Sequence, residues 1–172
     1  MSKGEAAAPS AESESLSICV VGSWHLATVT AAGLADVGHR VCVVDADEEA
    51  ISSLAAGRPT VFEPGLEQQV RTNVDAGRLR FTTDFEEAVG AAPVVLVAHD
   101  TPLTSDGVDL GPIFEAVERV AGVAQREYLL LIGSQVPIGV SERLGEAARR
   151  INPEVSFELA CSPEFLRLGA AV

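Results

Sequence analysis

Residues 17–45 constrain the fold of this chain more than any other stretch. An apolar run ending at Gly22 is followed by a turn, a helical segment closed by Gly38, and a second apolar run ending at Asp45. Two buried parallel strands joined by a helix have this order of segments. Asp45 stands 23 positions after Gly22, near the separation of about 20 between the glycine turn and the ribose-binding carboxylate of a dinucleotide site. The stretch therefore predicts a βαβ nucleotide-binding unit.

The glycine pattern of this unit is altered. Where a dinucleotide-binding turn carries Gly-x-Gly-x-x-Gly, this chain has Gly22, Trp24 and Ala27. The second glycine normally lets the backbone approach the diphosphate closely, so Trp24 is either a lid against a cofactor or a plug in an empty site. Asp45 favours NAD over NADP, because a carboxylate hydrogen-bonds a 2′-hydroxyl and repels a 2′-phosphate.

Further apolar runs alternate with helical segments along the rest of the chain. This alternation predicts an α/β fold, a Rossmann-type doubly wound parallel sheet of about six strands in three layers. The polar segment 103–111 is predicted to be a surface loop. Ligands of such sheets bind at the carboxyl ends of the strands. The predicted strands are 17–22, 40–45, 79–82, 94–98, 128–132 and 156–161, and the predicted helices are 26–37, 47–56, 66–76, 85–89, 112–123 and 141–150.

Charge and composition narrow the range of partners and compartments. The 172 residues carry a formal net charge of −13, which repels phosphate backbones and anionic lipid and argues against general nucleic-acid or membrane-surface binding. A helix N-terminus can still bind an anionic nucleotide in such a protein. No apolar run reaches the length of a membrane span, and we expect a soluble, cytoplasmic protein. Residues 1–15 are predicted to be a disordered leader before one domain at 16–172.

The three cysteines, Cys19, Cys42 and Cys161, each lie in or at the end of a predicted buried strand. Their odd number and their positions argue against a disulfide framework and for a reducing compartment. For Cys161 a small apolar strand residue is favoured over a nucleophile, since nothing nearby in the sequence would lower its pKa. The cysteines and histidines lack the spacing of a metal site.

Five further segments carry motifs, of which the first and last are the most specific: Phe62-Glu63-Pro64-Gly65-Leu66, residues 77–84, Thr101-Pro102, residues 134–139 and Ser162-Pro163-Glu164-Phe165-Leu166-Arg167. Together they resemble the N-terminal NAD-binding domain of the UDP-glucose/GDP-mannose dehydrogenase family. The resemblance covers about residues 17–172 and implies a cofactor, NAD, and a nucleotide-sugar substrate such as UDP-glucose. It implies oxidation of the C6 alcohol to a carboxylate by two hydride transfers, through a thiohemiacetal and a thioester on a cysteine.

The same resemblance implies roles for individual residues. NAD would contact Gly22, Trp24, His25 and Leu26 at its diphosphate, Asp45 at its adenosine ribose, and Thr101. The catalytic candidates are Glu164, as the acid/base of thioester hydrolysis, and Gln135 near the reacting end. The substrate candidates are Phe165, Leu166 and Arg167. Two structural alternatives stay open: His25 is a packing or hydrogen-bonding residue, and Glu164 caps a helix that begins after Pro163.

The chain departs from the family's pattern at Ala50, Asp100, Gln135 and Leu168; Asp100 replaces a small residue after the fourth predicted strand. The family's catalytic cysteine, its dimer-forming central helix and its sugar-nucleotide domain lie downstream of the matched segment. We therefore expect a domain that holds NAD but is inactive alone, with a possible homodimer in the intact enzyme. The alternative is a degenerate, non-catalytic Rossmann module that binds a nucleotide weakly or serves as an interaction surface.

Overall fold

A computed structural model describes residues 15–105 and 107–172 and confirms the predicted α/β architecture. Its strands are β1 Ser17–Val21, β2 Arg40–Val44, β3 Leu79–Thr82, β4 Val94–Val97, β5 Leu103–Thr104, β6 Gly107–Val108, β7 Tyr128–Ile132 and β8 Phe157–Cys161. Its helices are α1 His25–Asp36, α2 Glu48–Ala55, α3 Leu66–Asp75, α4 Phe85–Gly90, α5 Gly111–Val123 and α6 Val140–Ile151. Six strands form one parallel sheet in the order β3-β2-β1-β4-β7-β8.

The six predicted strands are present, and each end lies within one residue of its predicted position. The expectation of a plain loop over 103–111 is wrong, because β5 and β6 form a short antiparallel pair. Gly107 has φ +118°, a conformation that glycine adopts readily and that allows a tight turn here. These two strands contain only two residue pairs, which are too few to produce a periodic apolar pattern in the sequence.

The predicted leader lies almost entirely outside the described residues and stays a prediction. Ser15 is described, and its hydroxyl donates a hydrogen bond to the carbonyl of Gly38 at 2.9 Å. Among the described residues, no helix combines the length and apolar character that crossing a membrane requires.

The core consists of one apolar cluster on each face of the sheet. Along β1, Ile18 and Val20 face the cluster beneath α1 and α3, whereas Cys19 and Val21 face the cluster beneath α4, α5 and α6. Because side chains alternate between faces, a strand covered on both sides must be apolar at every position. This explains the continuous apolar runs in the sequence and confirms three layers.

Two of the three cysteines are core residues. Burial raises the pKa of Cys42 to about 11 and raises the pKa of Cys19 further, so both thiols are protonated and inert at neutral pH. The expectation of a buried position is wrong for Cys161, which is exposed. The reason is that Cys161 ends β8, the edge strand of the sheet, which has a neighbour on one side only.

The central strands bring three loops together at one edge of the sheet. The N–H of Ala98, after β4, donates to the carbonyl of Val21 at the end of β1, and the N–H of Gly133, after β7, donates to Val97. The strand order reverses between β1 and β4, and ligands of doubly wound sheets bind at such a switch point.

Candidate functional site

Gly22 forms the turn between β1 and α1, and its position excludes a side chain. Its φ is +125°, and a Cβ there would lie 3.1 Å from the carbonyl oxygen of Ala98 and 3.3 Å from Cβ of Ala27. Its N–H donates to the carbonyl of Val44 on β2 at 3.0 Å. The turn is thus drawn against the neighbouring strands, with Ala27 packed beside it.

The N-terminus of α1 is uncapped by its own residues. Trp24 occupies the N-cap without a side-chain hydrogen bond, and no acidic residue lies in the first turn. By contrast, Asp47 caps α2 by accepting from the N–H of Ala50, and Asp84 caps α4 by accepting from the N–H of Glu87. No side chain of the helix start therefore competes with an anion for the first-turn N–H groups and the dipole of α1.

Two adjoining cavities open at this edge of the sheet. The first, which we call the Gln135 cavity, has a volume of about 420 Å³, and the second, the Asp45 cavity, has about 550 Å³. Both volumes lie in the range of small-molecule sites. The two cavities share Trp24, His99, Asp100 and Pro102 in their walls.

The Gln135 cavity brings together most of the residues that the sequence singled out. These are Trp24, His25, Leu26, Thr101, Gln135, Glu164 and Leu166. Gly22, in the turn itself, lines neither cavity, and Phe165 and Arg167 also lie outside both walls. Phe165 is 75% exposed, so the structure brings only Leu166 of the three predicted substrate residues into the site.

Trp24 forms part of the wall of both cavities and leaves both of them open. Trp24 is 51% exposed. Its ring meets the ring of His25 edge-on, with centroids 6.4 Å apart and an interplanar angle of 69°. The indole therefore lines both cavities without filling either, and its role as a lid stays a prediction.

Asp45 follows β2 and lines the second cavity. Its Oδ1 accepts a hydrogen bond from the N–H of Asp47 at 3.1 Å. This bond ties the carboxylate to the turn before α2 and orients it at the cavity edge. The predicted carboxylate therefore lies across the switch point from the N-terminus of α1.

A buried carboxylate, Glu63, lies behind the Gln135 cavity. Its Oε2 is 3.0 Å from Nε2 of His25 and accepts a bond from the N–H of Gly169 at 2.7 Å, while Oε1 accepts from the N–H of Ala171 at 2.8 Å. These partners, the Ala171 N–H first, lower the pKa of Glu63. His25 is thus a buried hydrogen-bonding residue, in agreement with the structural alternative for this residue. Only the Glu63-Pro64-Gly65-Leu66 motif could have drawn attention to this carboxylate.

Gln135 and Glu164 are neighbours although 29 positions separate them in the chain. Nε2 of Gln135 donates to the backbone carbonyl of Glu164 at 2.8 Å, and the N–H of Glu164 donates to the carbonyl of Gly133 at 3.1 Å. No helix follows Pro163 in the described chain. The helix-cap alternative for Glu164 is therefore wrong, because its backbone pairs with the end of β7 instead.

His99 and Asp100, after β4, line both cavities and are the titratable groups most affected by burial there. Burial lowers the pKa of His99, against the opposing charges of Asp45, Asp100 and Glu115. Burial also raises the pKa of Asp100. Among the described residues, no group of three or more His, Cys, Asp or Glu side chains could hold a metal ion.

Comparison with known proteins agrees with this geometry. Residues 16–172 match the model of the UDP-glucose/GDP-mannose dehydrogenase family, NAD binding domain. Over 159 residues the chain is 35% identical to a UDP-glucose 6-dehydrogenase of Bacillus subtilis and 38% identical to one of Rhizobium meliloti. Each match covers 91% of this chain and 36% of the relative. The chain therefore spans about a third of the length of these relatives.

Solved structures show the same relationship. A UDP-glucose dehydrogenase from Pyrobaculum islandicum matches 96% of this chain with a TM-score of 0.88 and 34% identity, and 39% of that protein is covered. A ternary complex of GDP-mannose dehydrogenase from Pseudomonas aeruginosa matches 90% of this chain with a TM-score of 0.84 and 28% identity, with 37% of that protein covered.

Proposed function

We propose that this chain, which belongs to the UDP-glucose/GDP-mannose dehydrogenase family as its NAD-binding domain, binds NAD at the carboxyl ends of its strands. It would serve as the cofactor-binding domain of a nucleotide-sugar 6-dehydrogenase. The uncapped N-terminus of α1, which opens between the Gln135 and Asp45 cavities, is the observation that carries the proposal. Neither described cavity wall includes an Arg or Lys side chain. Backbone N–H groups of the first turn, including that of Leu26, would therefore bind the diphosphate.

Asp45 would accept hydrogen bonds from the hydroxyls of the adenosine ribose. Its place in the wall of the second cavity supports this role, and its charge would exclude the 2′-phosphate of NADP. Gly22 would act indirectly, because its missing side chain lets the turn lie against β4. Trp24 would cover the bound dinucleotide.

Thr101, Gln135 and Glu164 would surround the reacting end in the Gln135 cavity. NAD, when bound, supplies the acceptor for hydride taken from the C6 alcohol of the sugar. Gln135 would hold the backbone of Glu164 through the observed hydrogen bond, and the exposed Glu164 carboxylate would accept and return the proton of the hydrolytic water. Leu166, with Phe165 and Arg167 at the rim, would lie along the nucleotide sugar.

The thiol of the family's reaction would come from outside the matched segment. Cys19 and Cys42 are buried and protonated, and Cys161 does not line the Gln135 cavity. The substrate would be a nucleotide sugar, with UDP-glucose first because relatives of this chain are UDP-glucose 6-dehydrogenases. The intact enzyme would be a homodimer. A cytoplasmic location fits Cys19 and Cys42, which face each other on β1 and β2 and are both free thiols.

Isothermal titration with NAD and NADP tests this proposal. We expect NAD to bind with a Kd below about 1 mM and NADP to bind more weakly. The Asp45→Ala variant should weaken NAD binding about tenfold or more, because it removes hydrogen bonds to a charged acceptor. The Asp75→Asn variant, which removes an exposed carboxylate near the opposite sheet edge, serves as the matched control. If neither NAD nor NADP binds, the result contradicts the proposal and favours the non-catalytic module.

A further inference from the structure

Asp100 presents an unsatisfied carboxylate oxygen inside the candidate site. It follows β4 and belongs to the walls of both cavities. Oδ2 of Asp100 is buried and has no hydrogen-bond partner, the one such side-chain atom found in the described part of the chain. A buried polar atom without a partner is destabilising and calls for a functional explanation.

The uncapped N-terminus of α1 lies beside this carboxylate. Leu26, in the first turn of α1, and Asp100 line the same cavity. The backbone N–H of Leu26 is one of the groups that lower the pKa of Asp100 against the effect of burial, together with His25, His99 and the N–H of Asp100 itself. The interaction stops short of satisfying Oδ2. Since α1 has no acidic residue in its first turn, Asp100 supplies the negative charge that a helix N-terminus attracts.

The groups around Asp100 leave this charge largely uncompensated. His25 on α1 and His99 beside it are the cationic candidates that face Asp100. Burial lowers the pKa of His99, so this imidazole is neutral at pH 8. Asp45 after β2 and Glu115 on α5 act on His99 and add further negative charge.

We propose that Asp100 sets the nucleotide affinity of this site, because its carboxylate occupies the position of the diphosphate at the N-terminus of α1 when no nucleotide is bound. The inference rests on the proposed NAD binding. A diphosphate and a carboxylate cannot both use the same N–H groups, and at close range they repel each other. Nucleotide binding therefore requires Asp100 to turn away or to take up a proton.

Isothermal titration at pH 8 of the wild type, Asp100→Asn and Asp100→Gly with NAD and ADP-ribose measures this competition. Asn keeps the size of the side chain and removes its charge, whereas Gly removes both. We expect both variants to bind the two diphosphate ligands about tenfold more tightly than the wild type. Adenosine, which has no phosphate, should bind all three proteins equally. The Asp75→Asn control removes the same charge far from the site and should match the wild type.

The outcomes separate this inference from the proposed function. NAD binding of equal strength by the wild type and both Asp100 variants would overturn the inference and leave NAD binding intact. A gain in adenosine affinity equal to the gain for NAD would also overturn it, because the effect would then not involve phosphate. Absence of NAD binding by all of the proteins would contradict both. Circular dichroism of each variant verifies that the compared proteins are folded.

Discussion

Glu63 shows how one buried carboxylate can join parts of the chain that are far apart in sequence. It is hydrogen-bonded to His25 in the wall of the Gln135 cavity and to the N–H groups of Gly169 and Ala171. The segment that carries Glu164 and Leu166 is therefore fastened to the helix that would bind the cofactor. A charged acceptor with several donors is stabilised in its ionised form.

The lowered pKa of Glu63 predicts a pH dependence of stability. A carboxylate whose pKa is lower in the folded than in the unfolded state stabilises the fold at pH values above its ordinary pKa of 4.5. This contribution is lost as the pH falls through the lowered pKa of the folded state. We expect Glu63→Gln to reduce the free energy of unfolding at pH 7 and to flatten its decline below pH 4.5. Urea denaturation between pH 3 and pH 7 measures both effects.

Glu67→Gln is the control for this experiment. The Glu67 side chain is 59% exposed and pairs with Arg71 on the surface of α3, and such pairs contribute little. If Glu63→Gln and Glu67→Gln have the same stability at every pH, Glu63 does not hold the fold in the way described.

At the scale of elements, the turn from β1 to α1 decides the shape of the site. Gly22→Ala should destabilise the protein by about 1–3 kcal/mol, because it forces a side chain into a positive φ and against the Ala98 carbonyl. Gly33→Ala in α1 is the matched control, since a Cβ there has no neighbour within 4 Å and should stabilise the helix by up to about 1 kcal/mol. Thermal and urea unfolding give both values, and a Gly22→Ala protein as stable as the wild type would contradict the packing argument.

The regular elements could be predicted from the sequence because each is a local pattern. Apolar runs such as 40–45 mark strands buried on both faces, and Asp84 before Phe85 marks a helix start. The pair β5 and β6 could not be predicted, because two residue pairs make no pattern. The exposure of Cys161 depends on β8 being an edge strand, which is a property of the sheet and not of the segment.

For the whole molecule, the positions of the site residues followed from the topology. Strand ends of a parallel sheet meet at one edge, so the sequence predicts that Trp24, Thr101, Gln135 and Glu164 lie close together, and they line one cavity. The contacts of Glu63 cannot be predicted from the sequence, since its partner Ala171 is 108 positions away. The sequence also cannot predict that Oδ2 of Asp100 lacks a hydrogen-bond partner, because this depends on how three loops pack. The roles of these residues stay predictions.

The location of the nucleotide is the central claim, and amide chemical-shift mapping of the ¹⁵N-labelled protein during titration with NAD tests it most directly. We predict that NAD shifts the amide resonances of His25, Leu26 and Thr101 and leaves those of residues 75–78, at the opposite edge of the sheet, unchanged. The Asp45→Ala variant should need about tenfold more NAD for the same shifts. Unchanged resonances at the start of α1 under saturating NAD, or shifts confined to the opposite edge, would contradict the account.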